Sequence, residues 1–442
     1  MRQLRRDWYD FWFRPVSPGP LGLFRLVFGF WVLVYGLLLW PDRYVWFSER
    51  GAFRAADAIA YDGGANPWLT NLFLHPGADL FLTPLFVLFL LAALGLCLGW
   101  WTRLCSILVY AGLFVLHARC TPICNSGDTV MIVLSAYLAL SPAGAACSLD
   151  RLRRIFQGRE DEIAPRIVPW AQRLMQLQIA VLYLCASLSK AGGAQWMDGT
   201  AAYYPLHLAE SVRFPTPFTD NIYLINLLTW ATVGIEMSLA TFVWVPRLRL
   251  YVLALGTMLH LGIEYTLNIP LFSALMITSY LNFLTEADLK NFLAWAKRPL
   301  GLKPLRLVYD GECDFCKSSL LVVYFLDIFK QITLIDAHNP AALAATGVVP
   351  EDAAEAAYAV RPDGRQFAGF DAFRQVSWVL PVTAYLSPLL YIPPVPQLGR
   401  LAYTWIKDNR ARLPVAPRYR GLPPPGNPLG AQADSERETL EV

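Results

Sequence analysis

Runs of about twenty apolar residues recur along the first two thirds of the chain, and no other feature narrows the possible folds so far. A backbone that crosses hydrocarbon must satisfy its own N–H and C=O groups, which for segments of this length means the α-helix. Eight segments qualify in outline: 21–40, 80–98, 104–117, 130–140, 170–189, 222–244, 248–266 and 271–284. The third and fourth are short for a span. With 55% hydrophobic and only 16% charged residues, and 15 Trp and 20 Tyr for interfacial belts, the chain reads as a polytopic helical membrane protein. No small-residue cleavage site follows the first run, so it is expected to stay as a span.

Lysines and arginines set the expected orientation. Arg2, Arg5 and Arg6 precede the first segment, Arg103 separates the second from the third, and five arginines between 151 and 166 separate the fourth from the fifth. Arg247 and Arg249 follow the sixth, and Lys290, Lys297, Arg298 and Lys303 follow the eighth. All fall on one side if the amino terminus is cytoplasmic. The loops at 41–79, 118–128 and 190–221 then face outward, and a bacterial inner membrane is the expected location.

Polar residues inside the spans point to chemistry. Gln176, Tyr183, Ser187 and Lys190 share one helical face, which in lipid must meet protein or water. The stripe ends at Lys190, just before a glycine-broken turn. A lysine there is a candidate general base, and equally a snorkelling side chain at a helix end. Glu236 lies within the sixth segment and needs a partner, for which Arg25, Lys190 and His260 are available. Thr257, His260, Glu264 and Asn268 are expected on one face of the seventh. After His117 and Arg119, Asn125, Ser126, Gly127 and Asp128 can cap the next helix or line a site. No HxxxH or HExxH spacing and no glycine-rich phosphate loop occur, so neither a metal nor a nucleic acid is an expected partner.

The run 186–203, ASLSKAGGAQWMDGTAAY, resembles a segment of the vitamin K-dependent gamma-glutamyl carboxylase and its bacterial relatives, the HTTM family, where a lysine precedes Trp-x-x-Gly. Lys190, Trp196 and Gly199 are the matching positions. The loop 123–128, the Glu236 segment and NIPLFS at 268–273 resemble further motifs of that family. The resemblance implies a membrane enzyme that uses a lipid quinol, vitamin K-like, with Lys190 as its base. It makes Arg119, Asn125, Asp128, Trp196, Glu236 and His260 candidates for binding the quinone or substrate.

Past the last segment the composition changes. A basic linker at 290–304 is followed by alternating strands and helices: a strand at 306–310, a helix carrying Cys313 and Cys316 at its start, a strand at 332–336, and a hairpin with strands at 357–360 and 365–369. A strand, CxxC and helix in this order is a thioredoxin-like redox arrangement with Cys313 as the nucleophile. Reduced structural thiols, or half of a zinc site with only His338 downstream, are the alternatives. Tyr309, Asp310, Cys313 and Cys316, with Tyr403, Ile406, Asn409 and Arg410 near the end, resemble the DCC family of thiol-disulfide oxidoreductase-like proteins.

The expected organisation is therefore a carboxylase-like membrane domain at 1–300, a cytoplasmic α/β thioredoxin-like domain at 301–412, and a disordered tail at 413–442. Three functions fit it: a quinol-dependent enzyme at Lys190, a thiol–quinone relay, or a transport or maturation scaffold for a secreted peptide. A thiol-redox or peptide partner accompanies the last two. Cys120 and Cys124, outside in this topology, are candidates for chemistry beside Lys190 or for a disulfide.

Overall fold

The computed structural model describes residues 1–61, 78–159, 165–214, 216–298 and 303–415, so of the expected tail all but 413–415 lies outside the described residues. The described chain is mostly helical with one small sheet. It divides into two compact units, Met1–Arg151 with Ile163–Glu286, and Leu152–Glu162 with Ala287–Val442.

In the first unit a helix begins or lies at each of the eight apolar segments. Five described helices are long and apolar enough to cross a membrane: Gly19–Leu39, Asp79–Leu98, Thr102–Arg119, Trp170–Ala191 and Ile222–Trp244. Ser126–Leu140 is apolar but shorter. The third segment is thus longer than expected. Arg249–Thr266 is diluted by Arg249, His260 and Glu264, and Asn268 lies beyond its end, not on its face. The eighth segment is corrected most. Its α-helix covers only Phe272–Ser279 and tightens into a 3-10 turn at Tyr280–Phe283. Ser279 Oγ donates to the carbonyl of Met276 at 2.6 Å and Asn282 Nδ2 to that of Ser279 at 3.1 Å, local bonds that compete with the α-helical ladder.

The helix ends pair in two separate groups. At one end Val16 bridges Ile167, Arg173 Nε donates to Phe11 O at 3.0 Å, and Asp150 accepts from the backbone N–H groups of Trp101 and Thr102 at 2.8 and 2.7 Å. Arg25 Nη1 donates there to Leu96 O at 2.9 Å and its Nη2 to Cys147 O, which fixes Arg25 away from Glu236. The opposite end holds Arg119, Lys190 and the Arg213–Glu264 ion pair. The core between them is Phe24, Phe28 and Val32 packed with Phe86, Ala93 and Leu96, all nearly inaccessible.

The expected linker at 290–304 is in part helix, Glu286–Lys297, because its apolar and charged residues alternate at helical period. The second unit then builds a four-stranded sheet from β1 (Leu305–Tyr309), β2 (Ile332–Asp336), β3 (Tyr358–Val360) and β4 (Gln366–Ala368). The order is β2-β1-β3-β4, with β1 parallel to β2 and antiparallel to β3, and β3 antiparallel to β4. Asp314–Leu326 follows β1 and Phe370–Val379 follows β4. Leu305, Leu307, Leu320, Ala372 and Val376 close the core on one face of the sheet. Val308, Leu343 and Ala353 close it on the other.

Candidate functional sites

The polar stripe of Trp170–Ala191 faces protein along its whole length. Gln172 and Gln176 both donate to Asn282 O, at 2.9 and 2.6 Å, and Ser187 Oγ donates to Val233 O at 3.3 Å. Of the three partners available to Glu236, the structure selects Lys190: Nζ lies 2.7 Å from both Oε1 and Oε2. Nζ also stands 5.3 Å from the centre of the Trp196 ring, so the cation rests between a carboxylate and an aromatic face. The turn that presents Trp196 is held by Gly199 at φ +86°, where a Cβ would meet Asn226 Oδ1 at 2.8 Å. Ala202 N donates to Thr229 Oγ1 at 3.0 Å and fixes the same turn on the Glu236 helix. Gly199→Ala is therefore expected to lower stability by about 1–2 kcal/mol through strain at a left-handed position. An unchanged thermal midpoint in detergent would contradict that reading of the turn.

About two helical turns inward from Lys190 lies a second buried group. The Tyr183 hydroxyl is 2.8 Å from His260 Nε2 and 2.6 Å from the Tyr280 hydroxyl. His260 is 2% exposed, and among the described residues its Nδ1 has no hydrogen-bond partner. Phe272 stacks edge-on to the His260 ring at 5.4 Å, and its Cα lies 3.3 Å from where a Cβ on Gly127 would stand. Tyr280 and Asn282 were not picked from the sequence, since a short helix ending in a 3-10 turn shows no polar period.

The other candidates find their partners elsewhere. Asn125 is the N-cap of Ser126–Leu140: its Oδ1 accepts from Gly127 N at 2.6 Å, and Asp128 Oδ2 accepts from Asn125 N at 2.6 Å, a reciprocal capping box. Arg119 is buried, donates to Ser48 O at 3.3 Å and lies 3.6 Å from Glu49. Glu264 pairs with Arg213 instead of sharing a site with His260. Cys120 and Cys124 form no disulfide; the Cys124 thiol donates to Cys120 O at 3.3 Å. Burial pushes both thiols up, Cys124 to about 12, which favours their protonated form.

In the second unit Cys313 is the N-cap of the helix after β1, and its Sγ accepts from Cys316 N at 3.2 Å. The helix start is carried by Asp310: Glu312 N donates to its Oδ1 at 3.0 Å, Cys313 N donates to its carbonyl at 3.3 Å, and Arg410 Nη1 sits 3.2 Å from Oδ2. Hydrogen bonding from the Cys316 thiol, then from the Cys316 backbone N–H, together with Arg410, holds the Cys313 thiol down at about 6 against burial and Asp310. The bond to Cys313 and burial raise Cys316, which stays a thiol. Tyr403 OH accepts from Ala357 N at 3.0 Å, tying the Val395–Asn409 helix to the loop before β3. His338 has Asp336, Asp310 and Glu312 oxygens at 3.4 to 3.8 Å. Gly311 is required beside them, since a Cβ would stand 2.2 Å from Asp336 Oδ2.

A bundle of apolar helices with a part-buried lysine–glutamate pair is continued by an α/β unit that carries a CxxC at a helix start. Residues 13–287 match the HTTM domain family, and the chain belongs to that family. Residues 307–416 match the DCC1-like thiol-disulfide oxidoreductase family. No curated protein and no solved structure matches the chain.

Proposed function

We propose that the chain is a membrane-embedded thiol-disulfide oxidoreductase whose C-terminal unit has a thioredoxin-like fold. The observation that carries this reading is the Cys313 sulfur at a helix N-terminus, hydrogen-bonded by Cys316 and flanked by Arg410. The sheet order β2-β1-β3-β4, with its parallel first pair and antiparallel hairpin, supports the fold assignment. Cys313 thiolate attacks a substrate disulfide and releases one thiol. Cys316, giving up its proton, then attacks the Cys313 sulfur, releases the second thiol and leaves a Cys313–Cys316 disulfide. The test is insulin or peptide disulfide reduction by the purified full-length protein. Activity retained in Cys313→Ser would overturn the assignment.

A second reading concerns the eight-span membrane unit, and the Lys190–Glu236 pair favours it. The residues suit a quinol: the buried, unpartnered His260 Nδ1 can hold an oxygen, and Phe272 and Trp196 offer ring faces. Bound there, the quinol would supply two electrons and two protons. Lys190 and Glu236, bridged at 2.7 Å, can hold one proton between them, and Lys190 acts as base once Glu236 has taken its proton. The Tyr183 hydroxyl orients His260 and is itself held by the hydroxyl of Tyr280.

The arginine count supports an amino terminus and a CxxC unit on the cytoplasmic side of a bacterial inner membrane. A cysteine introduced at the exposed Arg159 should resist an impermeant thiol reagent in intact cells. Labelling from outside would reverse the topology.

A further inference from the structure

Beside Cys316 lies an apolar cavity of about 270 Å³, lined by Phe315, Leu320, Val323, Phe373 and Ile406. Residues of four helices and of β1 line it, Cys316 among them. The hydroxyl of Tyr403, the charged ends of Lys407 and Arg410, and Asp310 stand at its polar side. Both cations are already paired, Arg410 with Asp310 at 3.2 Å and Lys407 with Glu355 at 3.4 Å. An anion entering here would compete with those carboxylates for the cations, whereas a neutral apolar group meets a wall that is mostly hydrocarbon. A cavity of roughly 150 Å³ lined by such residues stays dry and takes up a benzene ring, so the space here holds a ring with its substituents.

We infer that this cavity is the specificity pocket of the dithiol site: it receives a neutral, ring-sized apolar group carried next to the sulfur of the substrate disulfide. The inference rests on the thiol-disulfide reading above and names its substrate class. Phe315 and Cys316 belong to both the cavity wall and the first turn after Cys313, so a substrate sulfur bonded to Cys313 leaves its substituent within reach of the pocket. The exchange is balanced. Cys313 bonds to the sulfur bearing the ring as the other half leaves as a thiol, and Cys316 then bonds to Cys313, expelling the ring-bearing thiol and surrendering one proton.

The experiment uses reduced full-length protein in detergent, with loss of the free Cys313 thiol, whether to a mixed disulfide or to the Cys313–Cys316 disulfide, followed by mass spectrometry against three reagents. These are dithiodipyridine, a neutral ring disulfide; dithiobis-nitrobenzoate, a ring disulfide with carboxylates; and methyl methanethiosulfonate, small and neutral. Rates are normalised to those of a free small thiol. Burying one ring predicts a preference of about tenfold or more for dithiodipyridine over the carboxylate reagent. Ser319→Phe, which fills the cavity from its wall, should remove that preference while the methyl reagent reacts as before. Ile406→Trp provides a second filling variant should Ser319→Phe lose its fold, which the methyl reagent would reveal. Equal normalised rates for both ring reagents in the unmodified protein, or a preference untouched by both fillings, would overturn the pocket. If no reagent modifies Cys313, the thiol-disulfide reading itself fails.

Discussion

Lys190→Ala should abolish quinol-dependent turnover and destabilise the membrane unit by about 3–5 kcal/mol, because Glu236 is left as a charge without its counter-ion in an apolar bundle. The side chains of the pair are 23% and 11% exposed, so water screens them little. Glu236→Gln should cost similar stability by stranding the ammonium. Replacing both at once, with Met at 190 and Leu at 236, removes both charges and should recover most of the lost stability, yet no activity. Thermal unfolding in detergent beside oxidation of a short-chain naphthoquinol separates the two effects. Full turnover in Lys190→Ala would end the base assignment. A double variant as unstable as the singles would show that the pair contributes shape, not charge.

The second large effect belongs to Cys313. A thiol held at about 6 is about nine-tenths thiolate at pH 7, so its alkylation should be fast and nearly flat above neutrality and fall about tenfold per pH unit well below 6. The sign follows from the hydrogen bonds: they stabilise the thiolate, so losing them moves the inflection up. Cys316→Ala removes the largest of them, and Arg410→Ala a smaller contribution of the same sign. Both inflections should therefore rise, that of Cys316→Ala further, with reactivity at pH 6 reduced. An inflection that stays near that of an ordinary thiol in the unmodified protein would remove the physical basis for nucleophilic Cys313.

Both effects show which features one chain states locally and which it does not. The stripe from Gln176 to Lys190 was legible because hydrocarbon forces polar side chains of a spanning helix inward, leaving a period to count. Cys313 at the helix start was legible because a strand, CxxC and an apolar helix follow one another without interruption. The partners were not. Glu236 is 46 residues from Lys190, and Tyr280 is 97 from Tyr183, so only the packing of separate helices joins them. Asp310 and Arg410 are likewise far apart in sequence, and only the packing of separate elements joins them. The eighth segment misled because hydropathy counts apolar residues and does not see the side-chain bonds of Ser279 and Asn282 that tighten its end. Asn125 and Asp128 carried two meanings, and their oxygens go to a helix cap.

The most direct test of a dithiol working in a membrane protein is a redox titration of the full-length chain, read by differential alkylation of each cysteine. The account predicts that Cys313 and Cys316 become protected together at a single two-electron midpoint with a slope of about 30 mV per tenfold change in the dithiol/disulfide ratio. That midpoint persists in Lys190→Ala, while Cys120 and Cys124 show no shared transition with them. Cys313 and Cys316 that remain alkylated at every potential, or that titrate separately, would contradict it.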